Sequence, residues 1–362
     1  MDYPNLLENA FLENALDGAE ACSTEPAAGV GGETAPRALV WRQLRWVDRR
    51  PVLELEAVEA ELPVRPAGRR LRVPLTPGAY LGLRVALDAS GAPYRFCSGY
   101  TTGSADPGTP GTRRHPCPEA ARIDRGQQCP RCAARDEFTA LHSAHLYPGT
   151  LTDSMRAYAM LEHRLYIATF PDGTHKVGTS SLTSTPRRLD EQAVATATYI
   201  ALASDGLTIR RAEDAVTALA GIGQVKQVAS KYRAWTHPLP GAQLRTAHED
   251  AVARARAALT EFLAREPDLQ LSALDEPWVP SLAMNRPYAA LRARNPEPLA
   301  PCDSTLDGST AGFFCTGAAG QFVSAHVGDP DAAFLVNTAE WRNLLVVPDR
   351  GFTRVRVQGS LF

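Results

Sequence analysis

The sequence predicts an α+β protein, on three observations. Apolar residues alternate between positions 38 and 96, four cysteines cluster directly after that stretch, and a hairpin–helix–strand–helix order begins near residue 158. A second β-rich stretch follows a long helix. A chain of 362 residues holds two or three units of ordinary size. It can bury enough apolar surface to fold without disulfides. The apolar fraction of 44% and charged fraction of 22% are those of a globular chain. No apolar run approaches the roughly 20 residues that cross a bilayer. The first residues are acidic where a signal peptide carries a basic segment, so a cytoplasmic protein is expected.

Residues 1–37 read as an acidic flexible arm. Asp2, Glu8, Glu13, Asp17, Glu20, Glu25 and Glu33 give residues 1–36 a charge of −7, with no Lys or Arg. The net charge is −2, so the remainder carries +5. That balance permits nucleic-acid binding by the body without demanding it. Basic runs lie at Arg42–Arg50 and Arg65–Arg72. Taken singly, each reads as the solvated face of a strand. Within 38–96, Leu53, Leu55 and Val58, then Leu71, Val73 and Leu75, then Leu81, Leu83 and Val85 mark three strands of a small β domain.

Residues 97–157 read as a metal-binding segment. The spacing is Cys97-x19-Cys117-x11-Cys129-x2-Cys132. Two thiolates two residues apart can fill two corners of a tetrahedron about 2.3 Å from one Zn²⁺, with Cys97 and Cys117 at the others. Four thiolates leave no open position for water, so the zinc would be structural. A competing set is Cys129, Cys132, His142 and His145, and His115 lies beside Cys117. The His-x2-His pair is tighter than the usual spacing, which favours the four cysteines.

From residue 158 to 235 the pattern is α/β. Leu165–Phe170 and His175–Thr179 read as strands joined by the turn Pro171-Asp172-Gly173-Thr174. Thr185 then reads as an N-cap with Pro186 at the first helical position, opening a helix to about Ala195. A strand at 197–203 and a helix at 209–220 follow. Residues 236–290 form a helical segment dominated by the Ala-rich stretch His248–Arg265. Residues 291–362 read as a β-rich unit with apolar runs at 334–336 and 344–347.

Leu165-Tyr166-Ile167, then Lys176-Val177-Gly178, then Arg187-Arg188 opening a helix, resembles the GIY-YIG nuclease module. The resemblance covers about residues 160–225. It implies paired strands each carrying a tyrosine, a catalytic arginine and a metal-binding glutamate, matched here by Tyr166, Arg188 and Glu213. Lys176 stands where that family has its second tyrosine, Arg164 where it has glycine, and Gln192 where many members carry histidine. A broader likeness, over about residues 40–225, is to the bacterial family called domain of unknown function 2797. It is carried by Cys-x2-Cys with Asp136 and His142, by Tyr166 and Ala168, by Lys176-Val177-Gly178, and by Arg187, Asp190, Gln192 and Ala193. It implies no established activity.

The resemblance implies a zinc-containing protein acting on DNA or RNA. In a divergent nuclease, Glu213 would hold Mg²⁺, Arg188 would clamp the phosphate, Tyr166 would position the nucleophile, and Lys176 would stabilise the phosphorane. Glu213 supplies an independent clue, since helical spacing aligns it with the apolar Ile209, Val216 and Ala220. Against each stands a plainer role: Glu213 paired with a helix-edge arginine, Tyr166 a strand tyrosine, and Lys176 and Arg188 solvated charges. A nucleic-acid-binding protein without catalysis, and a small-molecule enzyme reusing the same cleft, are the alternatives.

Overall fold

In the computed structural model the chain is described at residues 38–59, 64–104, 110–293, 298–302 and 306–353. The acidic arm lies outside the described residues. Two sheets carry the fold, as the mixed α+β expectation requires. The larger draws on both ends of the described chain. Its early strands are β1 (Leu39–Val47), β2 (Arg50–Val58), β3 (Pro66–Pro74) and β4 (Tyr80–Val85). A small hairpin of β5 (Tyr100–Gly103) and β6 (Thr112–His115) follows. The smaller sheet uses β7 (His163–Thr169), β8 (His175–Ser181), β9 (Thr196–Ala203) and β10 (Ser272–Pro277). The late strands are β11 (Ala300–Pro301), β12 (Thr310–Ala319), β13 (Phe322–His326), β14 (Phe334–Asn337) and β15 (Leu345–Pro348).

The N-terminal β domain and the C-terminal β-rich unit are one nine-stranded sheet, not two units. Its order is β11-β14-β13-β12-β4-β15-β1-β2-β3. Strand β15 fits between β1 and β4, pairing Leu39 with Val346 and Val85 with Val346. Alternation in the sequence shows which face of each strand is apolar but not which strand lies beside it. One face buries Trp41, Leu44, Trp46, Leu53, Leu55, Leu71 and Val73 with Phe313, Phe334 and Trp341.

The smaller sheet has the order β10-β9-β7-β8, antiparallel throughout. The turn at Pro171–Thr174 forms as expected, with Gly173 at φ 79° and Phe170 N–H donating to the Thr174 carbonyl. Strand β10 comes from the stretch read as purely helical. Its sequence, Ser-Ala-Leu-Asp-Glu-Pro, is too polar and short to announce a strand; pairing with β9 makes it one.

The described helices are α1 (Pro130–Ala133), α2 (Asp153–Ala159), α3 (Arg187–Asp190), α4 (Gly206–Ala220), α5 (Val228–Thr236), α6 (Gly241–Arg265) and α7 (Arg286–Arg292). The helix expected over 185–195 is one turn, α3. Thr185 is not its N-cap: the Thr185 hydroxyl donates instead to the Ser181 carbonyl, 3.1 Å away. Ala193, at φ 55°, ends the segment against Gly320 of the larger sheet. A Cβ on Gly320 would lie 2.6 Å from that of Ala193, so the approach needs glycine.

Helices α4 and α6 cover one face of the smaller sheet, packing Ile209, Ala212, Val216, Ala251 and Ala255 on Leu165, Ile167 and Val177. The other face packs Tyr166, Ala168 and Phe170 with Trp235, Tyr288 and with Phe322 and Leu335 of the larger sheet. The seam between sheets is also polar. Asp190 is buried and accepts from Arg49 at 2.7 and 3.0 Å and from Ser281 N–H at 3.2 Å. The Trp46 indole donates to the Gly320 carbonyl at 3.0 Å.

His248 of α6 bridges Thr169 (2.8 Å) and Thr198 (2.9 Å) beneath the sheet. Burial, with His175 nearby, pushes its pKa down to about 4. The unfolded chain, with an ordinary histidine near pH 6.5, therefore binds the proton first on acidification. Stability should fall as pH drops from about 6.5 to about 4, by up to about 3 kcal/mol from this residue. Urea melts of wild type and His248→Gln across that range check it: the variant should lose that part of the slope.

Candidate functional site

Two constellations expected from the sequence can be compared with the structure. The first is the cysteine cluster. Cys97 precedes β5, Cys117 follows β6, and Cys129 stands at the N-terminus of α1, which carries Cys132. Their four sulfur atoms lie within 4.8 Å of one another, and Cys117 and Cys129 Sγ are 3.9 Å apart. Four sulfurs at tetrahedral Zn–S distances would lie about 3.8 Å apart, so the arrangement is compatible with a structural zinc site. It is the one group of three or more His, Cys, Asp or Glu so arranged among the described residues.

The surroundings are prepared for thiolates. Cys97 Sγ faces the N–H groups of Cys129 (3.2 Å) and Gly99 (3.4 Å), and Cys117 Sγ faces that of Ala121 (3.5 Å). Burial pushes the Cys97 and Cys132 thiols up. For Cys129 burial acts the same way, but the Cys132 N–H and the neighbouring sulfurs outweigh it and hold that thiol below its ordinary value. Four thiolates this close repel one another, and a dication removes that cost. Gly99, at φ 82°, leaves no room for a Cβ beside the His115 carbonyl.

Two of the histidines kept open as ligands, His115 and His145, are engaged elsewhere. His115 stacks on Tyr100 at 4.8 Å and bonds Thr102 Oγ1. His145 bonds Asp214 at 2.7 Å. Asp136 ties the clasp together, accepting from Thr101 N–H (2.9 Å) and the Gln128 side chain (2.8 Å).

The second constellation is Tyr166, Lys176, Arg188 and Glu213. Register places Tyr166 opposite Gly178 and Ala168 opposite Lys176, so Tyr166 and Lys176 share one face of the smaller sheet. Tyr166 is wholly buried. Burial raises its pKa, which the Arg188 guanidinium facing the phenol partly offsets. The phenol end of its ring lies against Gly178, where a Cβ would collide with it. That contact explains the glycine in Lys-Val-Gly.

Glu213 comes from the other face. It is buried on α4, which packs against the edge strand β8. Its ion-pair partner is Arg210, at 3.6 Å, the plainer role foreseen for it. Its charge is nonetheless felt by Lys176 and Tyr166. Burial pushes the Glu213 carboxyl up, against the pull of Arg210, Lys176 and Arg188. Burial and Arg188 push Lys176 down to about 8.

Three further groups belong to this neighbourhood: two lysines that the sequence did not mark, and His142, read there as a possible zinc ligand. Lys231 of α5 donates to Gln192 at 2.8 Å, and burial with Lys176 and Arg188 pushes it down to about 7. Lys226 pairs with Asp172 at 3.1 Å over the Phe170 ring. His142, at the rim, is lowered by desolvation and by Arg210, Arg188 and Lys176. No local pattern marked these lysines, because they follow α4 in a polar stretch. The result is a band of cations around one buried carboxylate. That set does not fit a resident Mg²⁺: one ion-paired carboxylate among cations offers neither charge nor ligand number.

The other motif residues prove to be joints. Asp190 holds Arg49, Gln192 holds Lys231, and Ala193 abuts Gly320. No described helix is long and apolar enough to cross a membrane. Comparison with protein-family models, curated proteins and solved structures returned no match.

Gly178→Ala should cost about 1–3 kcal/mol by overpacking and displace the Tyr166 ring. Thermal melting together with the near-ultraviolet tyrosine signal would test this. Unchanged values in both would mean the ring does not rest on Gly178.

Proposed function

We propose that the chain is a zinc-stapled protein that acts on nucleic acid, engaging a phosphodiester at Lys176, Arg188 and Lys231. The observation that carries the reading is the convergence of these cations, with Tyr166, on the Phe170 face of the smaller sheet beside a single buried acid, Glu213. Glu191 pairs with Arg188 at 3.7 Å and Glu213 lies nearby, so three half-buried cations still outnumber the two acids beside them and favour a ligand that brings negative charge. The planar Arg188 fork suits two phosphate oxygens, and Lys176 supplies a point charge beside it. The likeness to the GIY-YIG module and to the family of domain of unknown function 2797 agrees with this reading. The four cysteines would hold one Zn²⁺ as a structural staple.

The binding-only form is favoured by two contacts. Glu213 is already paired with Arg210, and burial raises the Tyr166 pKa and so keeps the phenol protonated at neutral pH, where it cannot take a proton. Magnesium-dependent cleavage is the second reading, supported by the hairpin–helix–strand–helix order and by the placing of Tyr166, Arg188 and Glu213 in one electrostatic field. In it, any Mg²⁺ would come with the substrate phosphate.

A labelled DNA or RNA strand, incubated with and without Mg²⁺, separates the two. Cleavage that needs Mg²⁺ and is lost in Glu213→Gln supports the enzyme. Binding without turnover supports the binding-only form, and no affinity for either polymer at low salt sinks both. Lys176 faces Arg188, Glu213 and Lys231, and is charged below about pH 8. Affinity should therefore weaken as pH rises from 7 to 9, and Lys176→Arg, which stays charged, should flatten that decline. For the staple, elemental analysis should give about one zinc per chain. Cys117→Ser should lower zinc retention and melting temperature together.

A further inference from the structure

The two basic runs of the early strands, read singly as solvated faces, meet on one surface. β1, β2 and β3 carry most of their apolar side chains on one face of the large sheet; the other carries Arg45, Glu54, Glu56, Arg70 and Arg72, with Val40 and Val58 packed at its far end. The β5–β6 hairpin lies across from them and contributes Arg113 and Arg114. Between the two is a cleft of about 590 Å³ lined by Arg45, Arg70, Arg72, Arg113 and Arg114.

The charge in this cleft is far from balanced. Glu54 is shared among Arg45 (3.6 Å), Arg70 (3.4 Å) and Arg114 (3.8 Å). Glu56 serves Arg42 at 2.8 Å and Arg70 at 3.0 Å. Burial opposes ionisation of Glu54, yet Arg70, Arg114 and Arg45 hold its carboxyl below its ordinary value. Behind them Arg342 is half-buried, and desolvation with Arg114, Arg42 and Arg70 pushes its pKa down to about 10. Seven arginines thus face two carboxylates. Arg72 and Arg113 are exposed and have no ion pair among the described residues. Solvent compensates the exposed ones in part, yet the cleft keeps an excess of five positive charges along one surface.

We propose that this cleft is a second, separate binding site, taking the phosphodiester backbone of a nucleic acid. It rests on the nucleic-acid reading above but on different residues. Arginine forks match phosphate oxygens two at a time. Arg70 and Arg72, two apart on one strand, stand about 7 Å from each other, so they address separate groups on an extended ligand. The cleft lacks a free stacking surface: its one ring, His115, already lies on Tyr100. It would therefore hold the backbone and leave the bases unread. The clasp gives it a further property. Because the cysteines fix both ends of the segment carrying Arg113 and Arg114, one wall of the cleft depends on the metal.

The test is fluorescence anisotropy with full-length protein and a labelled single-stranded oligonucleotide at several salt concentrations. A peptide nucleic acid of the same bases, inorganic phosphate and a mononucleotide serve as competitors. Arg72→Glu/Arg113→Glu should bind at least ten-fold more weakly, with a salt slope shallower by about one unit per residue. Its zinc content should match wild type, showing that the hairpin is intact. The uncharged peptide nucleic acid should not compete. If wild type binds but the double variant keeps its affinity and slope, the cleft is not the site, and the reading at Lys176 and Arg188 survives. If mononucleotide or inorganic phosphate competes as well per phosphate as the oligonucleotide, the site takes small anions and the proposal falls. If wild type binds no nucleic acid, both fail.

Discussion

The buried carboxylate of Asp190 joins the two sheets. It lies at the end of a one-turn helix and takes both nitrogens of the Arg49 fork at the β1–β2 turn. Burial pushes its pKa above the ordinary carboxylate value, and Arg49 and the Ser281 amide pull the other way without cancelling that rise. Removing either partner of such a pair leaves a charge with no compensation, at a cost of about 3–5 kcal/mol for a fully buried pair. The same turn carries Arg188 two residues earlier and Gln192 two residues later. Those two side chains set the guanidinium and the Lys231 ammonium of the cation band. The geometry of the candidate site is thus inherited from the seam between the sheets.

Local signals in the sequence reached local structure well. The turn at Asp172-Gly173, the strands around Tyr166 and Val177, and the helix after Asp205 follow from backbone chemistry within a few residues. The cysteine cluster was legible because its Cys-x2-Cys pair and tight grouping form a short, typed pattern of the kind that metal sites use. The partnership of β15 with β1 and β4 had no such signature, since pairing across most of the chain leaves no periodicity of its own. The short α3 was obscured for a related reason. Its end is dictated by Gly320 and Arg49, far away in sequence. Of the candidate site, the four named residues were legible, as was a helix-edge arginine for Glu213, while Lys226, Lys231 and which arginine it would be were not. Lysine carries no positional code, and which arginine meets a buried acid depends on packing.

The two cation-rich surfaces differ in kind. Around Lys176, burial has weakened the cations themselves, so their charge responds to pH near neutrality. In the arginine cleft the charge is permanent, because guanidinium groups stay protonated. A polymer held at both would feel one contact that titrates and one that does not, and salt would weaken both.

The interleaving of β15 has a consequence for how the chain is made. Leu39 and Val346, paired in the finished sheet, are separated by roughly three hundred residues. A ribosome delivers β1–β4 long before β12 or β15 exists. Until then both edges of β4 and one edge of β1 expose unpaired backbone beside Trp41, Leu81 and Leu83. The smaller sheet, built from neighbours in sequence, can close meanwhile. The nascent chain thus carries an open, sticky half-sheet through most of its synthesis, a state in which chaperones engage proteins.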